Sequence, residues 1–162
     1  MSAVEEDIDT DDVSNTEPVT TEQYLTFIMD GEEYGVDILA VQEIRGWESA
    51  TPIPNSPKYI KGVINLRGTI VPIVDLRGRF DLEDPEYGSE TVVIVLKIEI
   101  SKGPRTMGII VDAISDVYDV SIDSIKRSGF SENHNSQFIK GLVTVNKSMV
   151  ILLKLNTLLE YL

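Results

Sequence analysis

The 162-residue sequence contains no cysteine and a single histidine. Without cysteine there is no disulfide, no thiolate nucleophile and no thiolate metal ligand. The one imidazole, His134, leaves little for zinc binding or for acid–base chemistry near neutral pH. It lies in the polar run Ser131–Ser136, where a solvated side chain is expected. These shortages exclude much of the enzyme repertoire and predict a protein without a metal or cofactor.

Long hydrophobic runs are also missing. The longest, Thr91–Leu96 and Met149–Leu153, fall far short of the roughly 20 apolar residues that a helix needs to span a bilayer. The N-terminus has neither the basic segment nor the apolar segment of a secretion signal. The sequence therefore predicts a cytoplasmic protein with no direct membrane insertion.

Basic residues are scarce, because 14 lysines and arginines stand against 27 acids, for a formal net charge of −13. A surface of this sign repels a phosphate backbone, and the basic residues are dispersed, so nucleic-acid binding is not expected. Seven of the acids and none of the bases lie in Met1–Pro18, which also lacks aromatic residues. That composition predicts a disordered acidic tail, followed by a domain over residues 19–162.

The rest of the chain is rich in short runs of valine and isoleucine separated by turn signals, which predicts an all-β fold. Ile38–Ile44 fits both a single helical turn and an extended segment. Asp112–Ile125 is predicted as a short helical turn followed by a strand. The chain is expected to end in a short helix over Asn156–Leu162, with Asn156 as its N-cap.

An internal repeat organises these strands. Tyr59–Ile64 matches Phe138–Val143 at an offset of 79, and Tyr34–Ile44 matches Met107–Val117 at an offset of 73. The repeat predicts two copies of one unit, each a small barrel of about five strands. The domain is expected to consist of two interleaved barrel subdomains, over approximately residues 19–88 and 89–162. A unit of that size buries too little surface to be stable alone, so the two barrels are expected to pack together.

The two copies differ around a predicted hairpin turn. The first copy has four residues there that the second replaces with Thr144, Asn146, Ile151 and Lys154; they are Asn65, Arg67, Pro72 and Asp75. Pro72 cannot donate to a sheet ladder, so it is expected on an edge strand or at a bulge, and Asp75 is expected to cap a turn. Gly68 can take the positive φ that the turn needs, and Gly62, which recurs as Gly141, is expected to be structural. Arg67 is not needed for the hairpin and requires another explanation.

Three segments carry a specific signature. They read Glu-Tyr-Gly-Val-Asp-Ile-Leu…Val-Gln-Glu-Ile-Arg-Gly at 33–46, Pro-Ile-Pro-Asn-Ser-Pro at 52–57 and Ile-Lys-Gly-Val-Ile-Asn-Leu-Arg-Gly-Thr-Ile-Val-Pro-Ile-Val-Asp-Leu-Arg at 60–77. Together they resemble the CheW family of bacterial chemotaxis, over about residues 22–162. The resemblance implies two pseudo-repeated five-stranded SH3-like β-barrels. It also implies a non-enzymatic scaffold that docks the histidine kinase CheA to the cytoplasmic tips of methyl-accepting chemoreceptors in membrane-associated arrays.

Carried over by position, the resemblance implies a partner-binding surface. A receptor cleft between the barrels would involve Val41, Val92, Gly108 and Val117, and the regulatory domain of CheA would contact one barrel. Glu43 and Arg67 would form a charged pair, bidentate in geometry, that shapes the interface. On periodicity alone the three valines fit core positions better, and an exposed arginine can be an ordinary solvated side chain.

Other functions stay open at this point. A CheW-like scaffold of a related histidine-kinase pathway outside chemotaxis would carry the same features. An enzyme with a carboxylate pair, for example Glu43 with Asp75, is an alternative from a different class, although the sequence contains no cofactor or nucleophile motif that would support it.

Overall fold

The computed structural model describes residues 20–82, 87–127 and 136–160. The predicted acidic tail and His134 lie outside these ranges. None of the helices in the described ranges is long and apolar enough to cross a membrane.

The described residues form ten strands and two one-turn α-helices: β1 (Thr21–Met29), β2 (Glu32–Asp37), β3 (Val41–Gly46), β4 (Ile60–Leu66), β5 (Thr69–Asp75), α1 (Leu76–Arg79), β6 (Val92–Ile100), β7 (Gly103–Val111), β8 (Ala113–Ser121), β9 (Ile139–Val145), β10 (Ser148–Leu153) and α2 (Leu155–Leu158).

The strands form two five-stranded sheets with matching strand orders. One sheet has the order β3-β6-β7-β5-β4, and the other has the order β8-β1-β2-β10-β9. In each sheet one pair of neighbours is parallel, β5 with β7 and β10 with β2. The first sheet uses a continuous middle part of the chain, whereas the second joins strands from both ends of it.

Each sheet closes on itself through a single bridge. After β3 the chain reaches Thr51, whose backbone N–H and C=O both bond to Val63 on β4 at 2.9 Å. After β8 it reaches Lys126, which bonds in the same way to Leu142 on β9 at 2.8 Å. Because each bridge ties the continuation of one edge strand to the opposite edge strand, both sheets are small barrels. We name them the central barrel (β3 to β7) and the terminal barrel (β1, β2 and β8 to β10).

Gly62 and Gly141 occupy equivalent places at the two closures. A Cβ atom on Gly62 would lie 2.2 Å from the carbonyl oxygen of Thr51, and one on Gly141 would lie 2.8 Å from the carbonyl oxygen of Lys126. Gly62 also has a φ of +144°. A side chain at either position would push the closing segment away, so the repeated glycine is a condition for closing each barrel.

The largest of the hydrophobic cores among the described residues lies between the barrels. Strand β6 shows how it is shared, because Val93 and Val95 belong to the core inside the central barrel whereas Ile94, Leu96 and Ile98 belong to the shared core. Alternate residues of one strand therefore serve two cores. This double burial explains why the start of β6 reads as a continuous apolar run and not as an alternating pattern.

The sequence repeat corresponds to β1–β5 and β6–β10, but the barrels divide the chain differently. Each copy contributes its first two strands to one barrel and its last three strands to the other. The predicted boundary near residues 88 and 89 therefore separates the two copies and does not separate the two barrels. The chain crosses between barrels at the 3₁₀ turn Ile38–Ala40 and again at Asp112.

Pro72 lies on an interior strand, because β5 is flanked by β4 and β7, so it is not on an edge strand. The other predicted place, a bulge, is nearby, because the β4–β5 ladder shifts register beside the Gly62–Ile73 pair that adjoins Pro72. Its partner on β4, Val63, uses both backbone groups to bond to Thr51, and the Pro72 nitrogen therefore faces the opposite side. On that side the hydrogen-bond ladder between β5 and β7 begins only at Ile73. The lack of an N–H group on Pro72 is tolerated because Pro72 lies just before the residues of β5 that pair with β7.

The helical predictions are correct in part. Ile38–Ile44 contains both proposed elements, a 3₁₀ turn and the start of β3. The turn predicted before β8 instead follows it as Ile122–Ser124, because a single residue separates β7 from β8. Asn156 is not an N-cap, since α2 begins at Leu155 after Lys154. Burial of Leu155, and not a side-chain cap, sets the start of this helix.

Gly62→Ala is expected to lower the free energy of unfolding by about 2–3 kcal/mol, because the new methyl group overlaps the Thr51 backbone and the φ value is unfavourable for alanine. The matched control is Gly46→Ala on β3, where a Cβ atom would meet nothing within 4 Å. That variant should stay within about 0.5 kcal/mol of the parent protein. Urea denaturation measures both changes, and equal losses would contradict the closure role of Gly62.

Candidate functional site

The turn between β4 and β5 is a two-residue hairpin tip. Arg67 and Gly68 both have positive φ, at 51° and 90°, as a type I′ turn requires. The Oδ1 atom of Asn65 accepts a hydrogen bond from the Gly68 N–H at 2.8 Å. Asn65 and Gly68 therefore hold the turn in shape, while the Arg67 side chain extends into solvent.

The equivalent turn in the terminal barrel shows what the fold alone requires. Asn146 and Lys147 take the places of Arg67 and Gly68, with φ values of 51° and 69°. Asparagine tolerates a left-handed backbone, whereas most other side chains cost roughly 1–2 kcal/mol there. Arg67 is therefore an unfavourable choice for the turn itself.

Arg67 pairs with Glu43 on β3. The Arg67 Nη2 atom donates a hydrogen bond to Glu43 Oε1, and the arginine side chain is 74% exposed while that of Glu43 is 26% exposed. The other Glu43 oxygen lies 3.9 Å from Nε of Arg45. The contact between Glu43 and Arg67 runs through one nitrogen and not through the predicted bidentate fork. An exposed pair of this kind contributes only about 0.2–1 kcal/mol to stability.

The central barrel also carries exposed apolar side chains. Ile44 on β3 is 43% exposed and Ile70 on β5 is 59% exposed. The repeat offsets relate them to Val117 and Met149 on the terminal barrel, which are 44% and 57% exposed. Each barrel thus presents exposed apolar side chains at matching positions of the repeat.

The three predicted cleft valines lie in two different barrels. Val41 pairs with Leu96, and Val92 pairs with Gly46, so the two valines lie at opposite ends of the β3–β6 ladder. Both are half-buried and pack against the shared core. Val117 lies on β8 of the terminal barrel, and it is the most accessible of the three. The structure therefore does not place Val41 and Val92 side by side.

Gly108 is buried inside the central barrel. A Cβ atom on it would lie 2.7 Å from Ile73 Cδ1 and 2.9 Å from Val93 Cγ1, two members of the barrel's own core. The position therefore faces the barrel interior and offers a partner no side-chain surface. Any effect of Gly108 on binding would act through the packing of β7 against its neighbours.

Asp75 is 5% exposed and has a structural environment. One carboxylate oxygen caps α1 by accepting the Arg77 N–H at 3.0 Å, and the other accepts the Tyr87 hydroxyl at 2.5 Å. Burial, reinforced by this hydrogen bond to Asp75, raises the pKa of Tyr87 far above its usual range. The alternative hypothesis of an enzyme needed Glu43 and Asp75 to act as a carboxylate pair. Glu43 is bound to Arg67 and Asp75 to Tyr87, so in these contacts the two carboxylates have separate partners.

An ion cluster that the sequence analysis missed joins the two barrels. Arg77 in α1 donates to both carboxylate oxygens of Asp112, at 3.1 and 3.0 Å, and lies 3.5 Å from a carboxylate oxygen of Asp30. Asp112 Oδ2 also accepts the Asp30 N–H at 2.9 Å. The hydrogen bond to Asp112 raises the pKa of Arg77 above its usual value. We name these three residues the crossover clamp.

Across the described ranges there is no group of three or more carboxylate or imidazole side chains that could hold a metal ion. The described surface combines a stiff hairpin tip, one charged pair and scattered exposed apolar side chains.

Comparison with known proteins gives a consistent result. Residues 23–162 match the model of a CheW-like domain. The Chemotaxis protein CheW of Klebsiella aerogenes is 43% identical over 140 residues, which cover 86% of this chain and 82% of that protein. The Probable chemotaxis protein CheW of Rhizobium etli is 35% identical over 137 residues, covering 84% and 86%. The crystal structure of the scaffolding protein TtCheW from Thermoanaerobacter tengcongensis superposes with a TM-score of 0.77 at 32% identity, over 89% of this chain and 90% of that one.

Exchange of the two turn residues tests whether Arg67 is retained for folding. Arg67→Asn is expected to leave the free energy of unfolding unchanged or to raise it by up to about 1 kcal/mol. Asparagine adopts the left-handed backbone conformation at lower cost than arginine, and this gain offsets the stability lost with the ion pair. The reciprocal variant Asn146→Arg should lower it by about 1 kcal/mol. Urea denaturation checks both values. A substantial loss in Arg67→Asn together with none in Asn146→Arg would show that Arg67 has a folding role.

Proposed function

The chain belongs to the CheW-like family, and from that membership we propose that it is a non-enzymatic adaptor that couples the histidine kinase CheA to chemoreceptors. In this role it supports receptor control of kinase activity by binding both partners at once. The relatives reported above are named as chemotaxis proteins and, for the solved structure, as a scaffolding protein. The proposed location is the cytoplasmic tip of methyl-accepting chemoreceptors, within membrane-associated arrays.

The Glu43–Arg67 pair is the observation that carries this proposal beyond the family. The turn would be more favourable with asparagine, as its equivalent in the terminal barrel shows, and the exposed ion pair adds little stability. A feature that costs folding energy and lies on the surface is best explained by recognition of a partner. We assign the pair the task of presenting a fixed charge pattern at the hairpin tip.

The cleft residues have different parts in this proposal. Val117, and more weakly the half-buried Val41 and Val92, would supply apolar surface to a receptor helix between the barrels. Gly108 would keep β7 close to its neighbours and so hold the central barrel in its binding shape. The regulatory domain of CheA would contact one of the two barrels.

A scaffold of a histidine-kinase pathway outside chemotaxis is the alternative within the same family. A pull-down against the isolated regulatory domain of a chemotaxis kinase separates the two. Retention of that domain supports the chemotaxis role, and exclusive retention of a regulatory domain from another pathway supports the alternative.

Addition of the purified protein to CheA and receptor-containing membranes should raise the rate of phosphotransfer several-fold. The increase should require all three components, because the adaptor acts by holding kinase and receptor together. Radiolabelled phosphate transfer to a response regulator measures it. A rate that does not change when the adaptor is added would contradict the coupling role.

Arg67→Glu should abolish this activation, because two carboxylates then face each other at the hairpin tip and the charge pattern is reversed. The thermal midpoint should stay within a few degrees of the parent value, since the pair is exposed and contributes little to folding. Lys102→Glu, an equal change of charge on the exposed turn between β6 and β7, is the matched control and should activate normally. Full activation by Arg67→Glu would overturn the assignment.

A further inference from the structure

The one-turn helix α1 connects the central barrel to the terminal barrel. It follows β5 directly, and its N-cap is Asp75, the last residue of that strand. Leu76 and the following Phe80 are buried in the shared core. The two arginines of the helix, Arg77 and Arg79, both contact residues on the terminal-barrel side. They do so at different points, so the helix is tied to that barrel twice.

Arg77 reaches the terminal barrel through the crossover clamp. Its guanidinium donates to both carboxylate oxygens of Asp112, at 3.1 and 3.0 Å, and lies 3.5 Å from a carboxylate oxygen of Asp30 in the turn between β1 and β2. The Asp112 N–H in turn donates to the Ile28 carbonyl on β1 at 3.1 Å. A bidentate contact between arginine and a carboxylate fixes direction as well as distance.

Arg79 reaches the terminal-barrel side through α2. Its Nε atom donates to the carbonyl of Leu158, the last residue of that helix, at 3.1 Å. Backbone carbonyls at a helix C-terminus have no partner within the helix, so this bond satisfies one of them. The guanidinium also lies 5.0 Å from the ring centroid of Tyr59, which precedes β4, and 4.5 Å from that of Phe138, which precedes β9. Arg79 therefore contacts one aromatic residue from each barrel.

The second copy of the repeat forms the equivalent helix without arginines. The offset of 79 relates Arg77 to Asn156 and Arg79 to Leu158, both in α2. An amide and a leucine cannot form an ion pair or a cation–π contact. A one-turn helix at this place in the fold therefore does not need the two arginines, and their contacts across the barrels require another explanation.

The shared core fixes the barrels relative to each other only as precisely as apolar contacts allow. The hydrophobic effect is non-directional, and packed elements can slide past each other by small shear motions. Such motions would displace the Arg67–Gly68 turn, because β5 joins that turn to α1 over roughly 20 Å. A rotation of about 10° at α1 would move the turn by about 3 Å over that length. A binding surface tolerates misplacement of only about 0.5 Å.

We propose that Arg77 and Arg79 are positioning residues, which set the angle between the barrels so that kinase and receptor can be bound at once. The proposal rests on the coupling role proposed above. The arginines need not touch a partner, because they act through the placement of the Glu43–Arg67 pair relative to Val117 on the terminal barrel. An adaptor gains from two binding surfaces only when its geometry lets both be occupied together.

Residual dipolar couplings of the backbone amides in the full chain test the role of the arginines. In the parent protein one alignment tensor should fit both barrels. In Arg77→Gln/Arg79→Gln each barrel should still fit a tensor of its own, but the two tensors should differ in orientation by more than about 10°. Lys58→Gln/Lys102→Gln removes the same charge at two exposed lysines and should keep a single tensor. A single tensor for the arginine variant, or a poor fit within either barrel, would overturn the proposal.

Arg77→Gln alone keeps the test decisive if the double variant does not fold. It loses the contacts to Asp30 and Asp112, whose side chains are 50% and 32% exposed. Loss of contacts at such accessible carboxylates costs little stability, so a dispersed amide spectrum is expected. The two tensors should differ in this variant as well, by a smaller angle than in the double variant. A single tensor would overturn the assignment of Arg77.

Kinase activation separates positioning from damage to one binding surface. With CheA and receptor-containing membranes, the concentration of Arg77→Gln/Arg79→Gln that gives half-maximal activation should be at least about ten-fold higher than that of the parent. Its affinity for the isolated regulatory domain of CheA should match that of the parent, because that domain contacts one barrel. An unchanged half-maximal concentration, or an equal loss in both measurements, would overturn the proposal. If the parent protein itself does not activate the kinase, the coupling role fails, while the dipolar couplings still decide whether the arginines set the angle.

Discussion

The hydrophobic core between the barrels is the constraint on which the rest of the structure depends. A row of aromatic rings runs through it, with centroid separations of 5.9 Å for Phe27 and Tyr34, 5.7 Å for Tyr34 and Phe80, and 6.0 Å for Phe80 and Phe138. Phe80 follows β5 of the central barrel, and the other three rings belong to the terminal barrel side. Because the chain also crosses between barrels twice, neither barrel can separate from the other without exposing this core. The two barrels are therefore fixed relative to each other by packing.

The internal repeat supplies a comparison within one molecule. Where both copies need the same backbone, the residue recurs, as Gly62 and Gly141 do at the two closures. Where a residue differs, the equivalent position shows what folding alone would accept. Asn146 shows that the hairpin does not need Arg67. Leu39, which is 90% exposed, stands where the other crossing has Asp112. Both differences lie at the surface.

The fold class could be predicted from the sequence because the repeat and the turn signals are local, and the two five-stranded units are confirmed. Which strands each barrel takes from each copy could not be predicted, since β3 presents the same pattern whether it pairs with β1 or with β6. The crossover clamp joins Arg77 to a residue 35 positions away, and no local pattern indicates such a partner. At the candidate site, the Glu43–Arg67 contact came from the family resemblance, whereas the burial of Gly108 needed the coordinates. A glycine in a strand does not show which neighbour it accommodates.

The central claim is that the central-barrel surface around Glu43 and Arg67 is a partner-binding surface and not an accident of folding. Amide hydrogen exchange, measured with and without receptor-containing membranes and the kinase, tests it most directly. We expect slower exchange at residues 41–46 of β3 and at residues 65–68 of the β4–β5 turn, with strands inside the shared core unchanged. Unchanged exchange at both segments in an assembly that activates the kinase would contradict the claim.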